Sequence, residues 1–234
     1  MNLKRATPFY KALRNNLLFS EIREESLLDL LAIASPQKWP AKTCILHTDQ
    51  AIHRFYIILS GMVKAYDYDS SNNREVILSI LSQNDVLNVC SLISEGNTHL
   101  FYETLAPTQV LYIPVKQMRE WTYHNPAVFK QILVYVLKKM EHLEDVASDM
   151  CLKDTSTRLA KLLLQLTNKS TSKIELINGF THDQLAALIG TTRAVLNRHL
   201  QEFKEEGILH IKRKQIEIID PSLLSRKIST FPIK

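Results

Sequence analysis

The stretch "THDQLAALIGTTRAVLNRHLQEFKEEGIL", residues 181–209, carries apolar residues at helical spacing, breaks at a glycine, and resumes behind two threonines and an arginine. Thr181 and Gln184 have the spacing of a capping box, in which each side chain serves the other's backbone amide. Leu185, Ala186, Leu188 and Ile189 form one apolar face. Gly190 stands where the chain must turn sharply, and glycine takes positive φ without strain. A second helix is expected over about 192–206, burying Val195, Leu196, Leu200 and Phe203. Its leading outward face shows Thr192, Arg193, Ala194, Asn197 and Arg198. Two helices joined by a short glycine turn, the second with a polar and basic tip, make a helix-turn-helix.

Such a tip suits duplex DNA. Arginine can bond O6 and N7 of guanine together, a pairing that contributes about 1–3 kcal/mol of discrimination. Thr181, Thr192 and the amides at the helix starts suit phosphate oxygens. His182 and Thr191 belong to the same candidate face. Downstream, "ILHIKRKQIEII" reads as two short strands turning at Arg213 and Lys214, which would add phosphate contacts at a hairpin tip. The charge distribution agrees. Residues 152–234 carry 14 Lys+Arg against 8 Asp+Glu, whereas residues 1–151 carry 15 against 16. A basic module that meets a polyanion is attached to one that does not.

Upstream, Asp154 or Thr155 can cap a helix whose face carries Leu159, Leu162, Leu163 and Leu166. "TNKSTSK" then reads as a loop and "IELI" as a strand. Before these comes a long helix, about 126–151, with Pro126 in its first turn and Asn125 as its N-cap. Phe129, Leu133, Val136, Met140, Leu143, Ala147 and Met150 recur along it at steps of 4 and 3. That seam lets two helices pack lengthwise, which predicts a homodimer. Glu141, Glu144 and Asp145 would flank it in solvent.

Residues 1–35 hold two short helical patterns, ended by Pro36 and Pro40. From about 41 to 115, β-rich runs such as "RFYIILSG", "REVILSIL" and "QVLYIPV" alternate with turn residues, as in an antiparallel sandwich or barrel.

Other classes are disfavoured. No apolar run reaches the ~18 residues of a membrane span, and the first residues lack a secretory signal's apolar run. A soluble intracellular protein is expected. Cys44, Cys90 and Cys151 are odd in number and far apart, so they are expected to be buried thiols, neither disulfides nor zinc ligands. No phosphate-binding glycine loop, HExxH or GxSxG motif occurs, and no nucleophile, base and orienting group can be grouped, so no enzyme is expected.

The order of roll, long helix and winged helix-turn-helix resembles the Crp/Fnr family of transcription regulators over nearly the whole chain. "RFYIILSGMVKAY" is similar to the family's strand pair "YYIxxGxVxxx". "DTSTRLAKLLLQL" is similar to the segment that opens its DNA-binding domain, and "ALIGTTRAVLNRHLQEFKEEGIL" to "xxxGxSRExVxRxLxxLxxxGxI". Within the family, "NDVLNVCSLISEGNTHLFYETLAPTQVLYIPVKQM" and "HIKRKQIEIIDPSLLSRK" resemble the NtcA nitrogen regulators of cyanobacteria and red-algal plastids. The resemblance implies an α+β chain. Residues 1–125 would be N-terminal helices and an antiparallel, jelly-roll-type β-roll like that of cyclic-nucleotide-binding domains. Residues 126–151 would be the dimerisation helix and 152–234 the winged helix-turn-helix. It also implies a homodimer on a twofold-related DNA site, activation through RNA polymerase, nitrogen control by 2-oxoglutarate, and residence in a bacterial cytoplasm or plastid stroma. A Crp/Fnr-type regulator with another effector or none, and a sensing or scaffold module that no longer reads DNA, are the rivals.

The family's effector positions fall on Asn88, Val89, Cys90 and Leu100, with Lys139 and Glu144 on the long helix. Cyclic-AMP-binding relatives have Gly-Glu and Arg-Ser pairs where this chain has Asn88-Val89-Cys90 and His99-Leu100-Phe101, so cyclic AMP is not expected. The arginine by which the nitrogen regulators hold 2-oxoglutarate is replaced by Leu100, which removes its main counter-charge. No cysteine precedes Cys44, so no iron–sulfur cluster is expected. His47, His53 and His99 read as ordinary histidines rather than haem ligands, and Cys90 as a small core hydrophobe. Ala194 replaces the glutamate of the cyclic-AMP relatives. It cannot accept from cytosine, and its methyl suits thymine and an NtcA-like GTA…TAC target.

Overall fold

The structure is a computed structural model that describes residues 8–45, 53–93, 100–166, 180–212 and 215–229. The chain divides into two compact units, residues 1–67 with 79–143 and residues 68–78 with 144–234.

Helices α1 (Pro8–Asn15) and α2 (Glu24–Ile33) of the first unit precede an antiparallel roll, of which residues 68–78 count with the second unit. Its strands are β1 (Ser35–Trp39), β2 (Arg54–Ser60), β3 (Val63–Asp69), β4 (Arg74–Leu81), β5 (Val86–Leu87), β6 (Phe101–Thr104) and β7 (Thr108–Pro114). One sheet has the order β1-β7-β2-β5, the other β4-β3-β6. The central pair runs in register from Arg54↔Pro114 to Ile58↔Val110. Side chains alternate between faces along a strand, and here both faces are covered. Phe55 and Ile57 join α1 and α2 in one core, while Tyr56 and Ile58 join Trp39, Val63 and Leu87 in a second. That is why "FYII" reads as an unbroken apolar run.

Helix α3 (Val115–His124) follows β7 directly, and α4 (Ala127–Leu152) follows it. Val128, Ile132 and Tyr135 of α4 are buried with Leu92, Met118 and Trp121 in the first core. The helix start differs from expectation. Asn125 donates its side-chain amide back to the Trp121 carbonyl at 2.9 Å, so its side chain caps nothing on α4.

The second unit holds α5 (Thr155–Gln165), α6 (His182–Leu188), α7 (Arg193–Glu205), the strand pair β8 (Leu209–Lys212) and β9 (Gln215–Ile218), and α8 (Pro221–Ser229). Asp154 is the N-cap of α5, accepting from Thr157 N at 2.7 Å. That bond holds its carboxyl below the ordinary aspartate range. Leu159, Leu163, Leu185, Ile189, Leu196, Leu200, Phe203, Ile216 and Leu224 form its core. Leu162, Leu166, Leu188 and Val195, expected inside, are half-buried.

Several features correct the sequence reading. Pro36 lies within β1, an edge strand where a missing N–H is tolerated. Strand β5, α3 and α8 are additions to the expected elements. All three cysteines, Cys44, Cys90 and Cys151, are exposed, so Cys90 is no core residue. Strand "IELI", loop "TNKSTSK", His47, His99, Arg213 and Lys214 lie outside the described residues. Among the described residues no helix is long and apolar enough to cross a membrane.

Candidate nucleic-acid interface

The anticipated helix pair is built as its caps dictate. Thr181 and Gln184 form the reciprocal box, Gln184 N to Thr181 Oγ1 at 3.2 Å and Thr181 N to Gln184 Oε1 at 2.8 Å. Thr192 caps α7 by accepting from Val195 N. Each hydroxyl oxygen accepts in these contacts, which leaves its own hydrogen to donate elsewhere. Gly190 has φ +63, and Thr191 N closes the turn on Ala186 O at 2.9 Å. A Cβ on Gly190 would stand 2.5 Å from Met150 Sδ. Met150 thus meets this turn, so the last residue of the expected seam is half-buried within its own unit.

The turn leaves Thr181, Thr192, Arg193, Ala194, Asn197 and Arg198 exposed, with His182 and Thr191 half-buried beside them. The Arg193 and Arg198 side chains are 61% and 65% exposed, so neither packs inward. Each has an acidic neighbour. Arg193 Nη1 donates to Asp183 Oδ2 at 3.3 Å, and Arg198 Nε stands 3.7 Å from Glu202 Oε1. Exposed pairs of this kind contribute about 0–1 kcal/mol and yield readily to a polyanion. His182 Nδ1 lies 2.7 Å from Asn197 Oδ1. Sequence spacing gives no sign of Asp183 or of the His182–Asn197 pair, because both depend on how α6 and α7 cross.

On the back of α7, His199 is buried between Thr155 Oγ1 and Glu202 Oε2, each at 2.8 Å. This ties α7 to the start of α5.

The long helix has two faces. Opposite its buried side, Phe129, Leu133, Val136, Met140 and Leu143 are exposed, Leu133 by 59%, and Ala147 is exposed with them. Glu141, Glu144 and Asp145 are also exposed, as expected.

The effector positions are arranged differently. Asn88 adopts φ +64 ahead of the 3-10 turn Val89–Leu92 and donates to the Arg54 carbonyl at 2.8 Å. Cys90 is exposed and Leu100 half-buried just before β6. Lys139 Nζ is paired with Asp85 Oδ1 at 2.8 Å, and Tyr135 donates to the same carboxylate at 3.1 Å. Burial, then the Asp85 charge, pushes the Tyr135 phenol far above the usual tyrosine range. A guanidinium does reach the turn, but Arg119 donates Nε and Nη2 to the Ser91 carbonyl at 2.8 and 2.5 Å.

Comparison with known proteins assigns this architecture. Residues 36–123 match the model of the cyclic nucleotide-binding domain, and residues 157–227 that of the Crp-like helix-turn-helix domain. The chain belongs to the Crp/Fnr family. This Crp/Fnr protein is a DNA-binding transcription regulator by class and not an enzyme. It is 26% identical over 221 residues to the global nitrogen regulator of Synechococcus elongatus, covering 88% of this chain and 98% of the relative. It is 22% identical over 214 residues to the CRP-like cAMP-activated global transcriptional regulator of Mycobacterium tuberculosis, covering 90% and 95%. Among solved structures, the c-di-GMP responsive regulator CLP of Xanthomonas campestris superposes with TM-score 0.73 at 18% identity, covering 85% of this chain and 100% of that one. A CooA variant from Carboxydothermus hydrogenoformans does so with TM-score 0.71 at 25% identity, covering 91% and 95%.

Proposed function

We propose that the protein acts as a homodimer on a twofold-related DNA site and activates transcription in the manner of the nitrogen regulators it resembles. Each α7 would enter one major groove, with centres about 34 Å apart. The observation that supports this is the long helix, whose apolar row is exposed on the side away from the roll. A row at heptad spacing that its own chain leaves uncovered suits a second copy. Arg193 and Arg198 would read base edges, and Thr181, Thr192 and the residues Arg213 and Lys214 would hold phosphates. RNA polymerase is the partner that activation requires.

The residues do not fit a cyclic nucleotide. His99-Leu100-Phe101 stand where the cyclic-AMP relatives have their Arg-Ser pair, and Asn88-Val89-Cys90 where they have Gly-Glu, so the arginine and glutamate are missing. They fit 2-oxoglutarate poorly as well. Lys139 is already matched by Asp85, and Arg119 is turned onto a carbonyl. No step of the proposed activity is therefore routed through either ligand.

Sedimentation of the wild type and of Leu133→Glu, followed by titration of each against a GTA…TAC duplex, tests the reading. A dimeric wild type that selects the duplex, and a monomeric variant that binds about a hundredfold more weakly, are expected, because the second half-site contact becomes bimolecular. A wild type that stays monomeric on and off DNA overturns the proposal.

A further inference from the structure

The contact between His182 and Asn197 carries a consequence for which base is read. His182 is the first residue of α6, and its backbone is held by the reciprocal capping box on either side. Asn197 is exposed on α7, one turn after Arg193. A carboxamide oxygen can only accept, so the 2.7 Å contact to Asn197 Oδ1 requires the hydrogen on His182 Nδ1. In a planar amide the oxygen and nitrogen diverge from one carbon. With its oxygen drawn toward α6, Asn197 turns its NH2 away from His182.

Asparagine reads adenine with both ends, donating to N7 and accepting from N6. With that oxygen aimed at His182, Asn197 cannot present both of its ends to one adenine edge, and the end it turns outward is the NH2 donor. Guanine presents N7 and O6 and thymine presents O4, all acceptors, whereas the N6 amine of adenine then faces a donor. We propose that His182 is a specificity-determining residue: by holding Asn197 Oδ1 it fixes Asn197 as a donor, so that the half-site position beneath it is read as guanine or thymine rather than adenine. This rests on the assignment of α7 as the DNA-reading helix. The core of Leu185, Ile189, Leu196 and Leu200 sets the crossing of the two helices, which makes the contact a built-in feature of the reading head.

The test is competition binding of full-length protein to half-sites substituted at each position in turn. The wild type is compared with His182→Ala, His182→Phe, His182→Gln, Asn197→Ala and the double variant His182→Ala/Asn197→Ala. Alanine and phenylalanine both remove the donor, and phenylalanine keeps the ring's bulk. Each is expected to shift preference at one position toward adenine, about fivefold or more, and to leave the others unchanged. A glutamine side chain carries an NH2 that restores the donor, so His182→Gln should return the profile to that of the wild type. The double variant should match Asn197→Ala. Equal weakening on every sequence, or an unaltered profile in both His182→Ala and His182→Phe, overturns the inference while the DNA-reading assignment stands. A wild type that prefers no sequence overturns both.

Discussion

Among the turns of this chain that hold a left-handed residue, those at Asn88 and Gly190 face their surroundings in opposite ways. Asn88 has φ +64 and Gly190 φ +63. At Gly190 the turn leads into a helix whose arginines stand in solvent, each loosely met by one exposed carboxylate. At Asn88 the turn is followed by neutral residues, and the cations that reach this region are engaged at short range. Arg119 makes two bonds to Ser91 O, and Lys139 is paired with Asp85. The charges of Arg119 and Lys139 are therefore partly met by acceptors of their own unit, at 2.5–2.8 Å. The arginines of α7 are thus left largely in solvent. The corresponding turn of the roll has been satisfied from within.

The sharpest way to break this contrast is at Arg193. Arg193→Ala should reduce affinity for the selected duplex about ten- to a hundredfold and leave binding to random DNA at high protein concentration nearly unchanged, measured by fluorescence anisotropy. If specific binding survives intact, the exposed arginine is not a reading residue. Next in size is the turn itself. Gly190→Ala places a Cβ in the left-handed region and against Met150, so a loss of about 1–2 kcal/mol is expected, read as a lower urea midpoint with unchanged slope. Asp154→Ala removes the cap of α5 and should destabilise by about 1 kcal/mol. The pH dependence follows from the carboxyl's depressed pKa. Its contribution is fully present above the ordinary aspartate pKa and fades as acid titrates it in the folded state. The gap between wild type and variant should therefore close at low pH. The smallest effect concerns the roll. Millimolar cyclic AMP or 2-oxoglutarate should alter duplex affinity less than about twofold, since a ligand shifts an equilibrium only through differential affinity. A tenfold change with either would show that the turn at Asn88 is not closed.

Features set by near neighbours in the chain are legible in the sequence. The box of Thr181 and Gln184, the break at Gly190 and the cap at Asp154 each lie within three residues of their partners or in a single turn. The seam on α4 is legible from its period. Its other face, at Val128, Ile132 and Tyr135, is not, because both faces are apolar and the sequence does not say which one the roll covers. Pro36 misleads because proline ends helices and also tolerates an edge strand, and only the pairing Pro36↔Leu111 distinguishes the two. Helix α3 carries Val115, Met118, Trp121 and Thr122 at helical spacing, but it begins without a break after β7, which hides its start. The cysteines escape the sequence reading because side-chain type is a weak guide to burial on a turn or helix surface. On the exposed face of α7 and the start of α6, position along the chain finds Arg193, Asn197 and His182, whereas the pairings Arg193–Asp183 and Asn197–His182 join two helices and depend on the angle between them.

The two faces of α4 alternate almost residue by residue: Val128 with Phe129, Ile132 with Leu133, Tyr135 with Val136. Adding or deleting one residue there would swing everything downstream by about 100° around the axis. The outward row would be carried off its line, and the length of this rod is therefore phase-locked: only changes near whole heptads would keep Phe129, Leu133 and Val136 in one row with Met140 and Leu143.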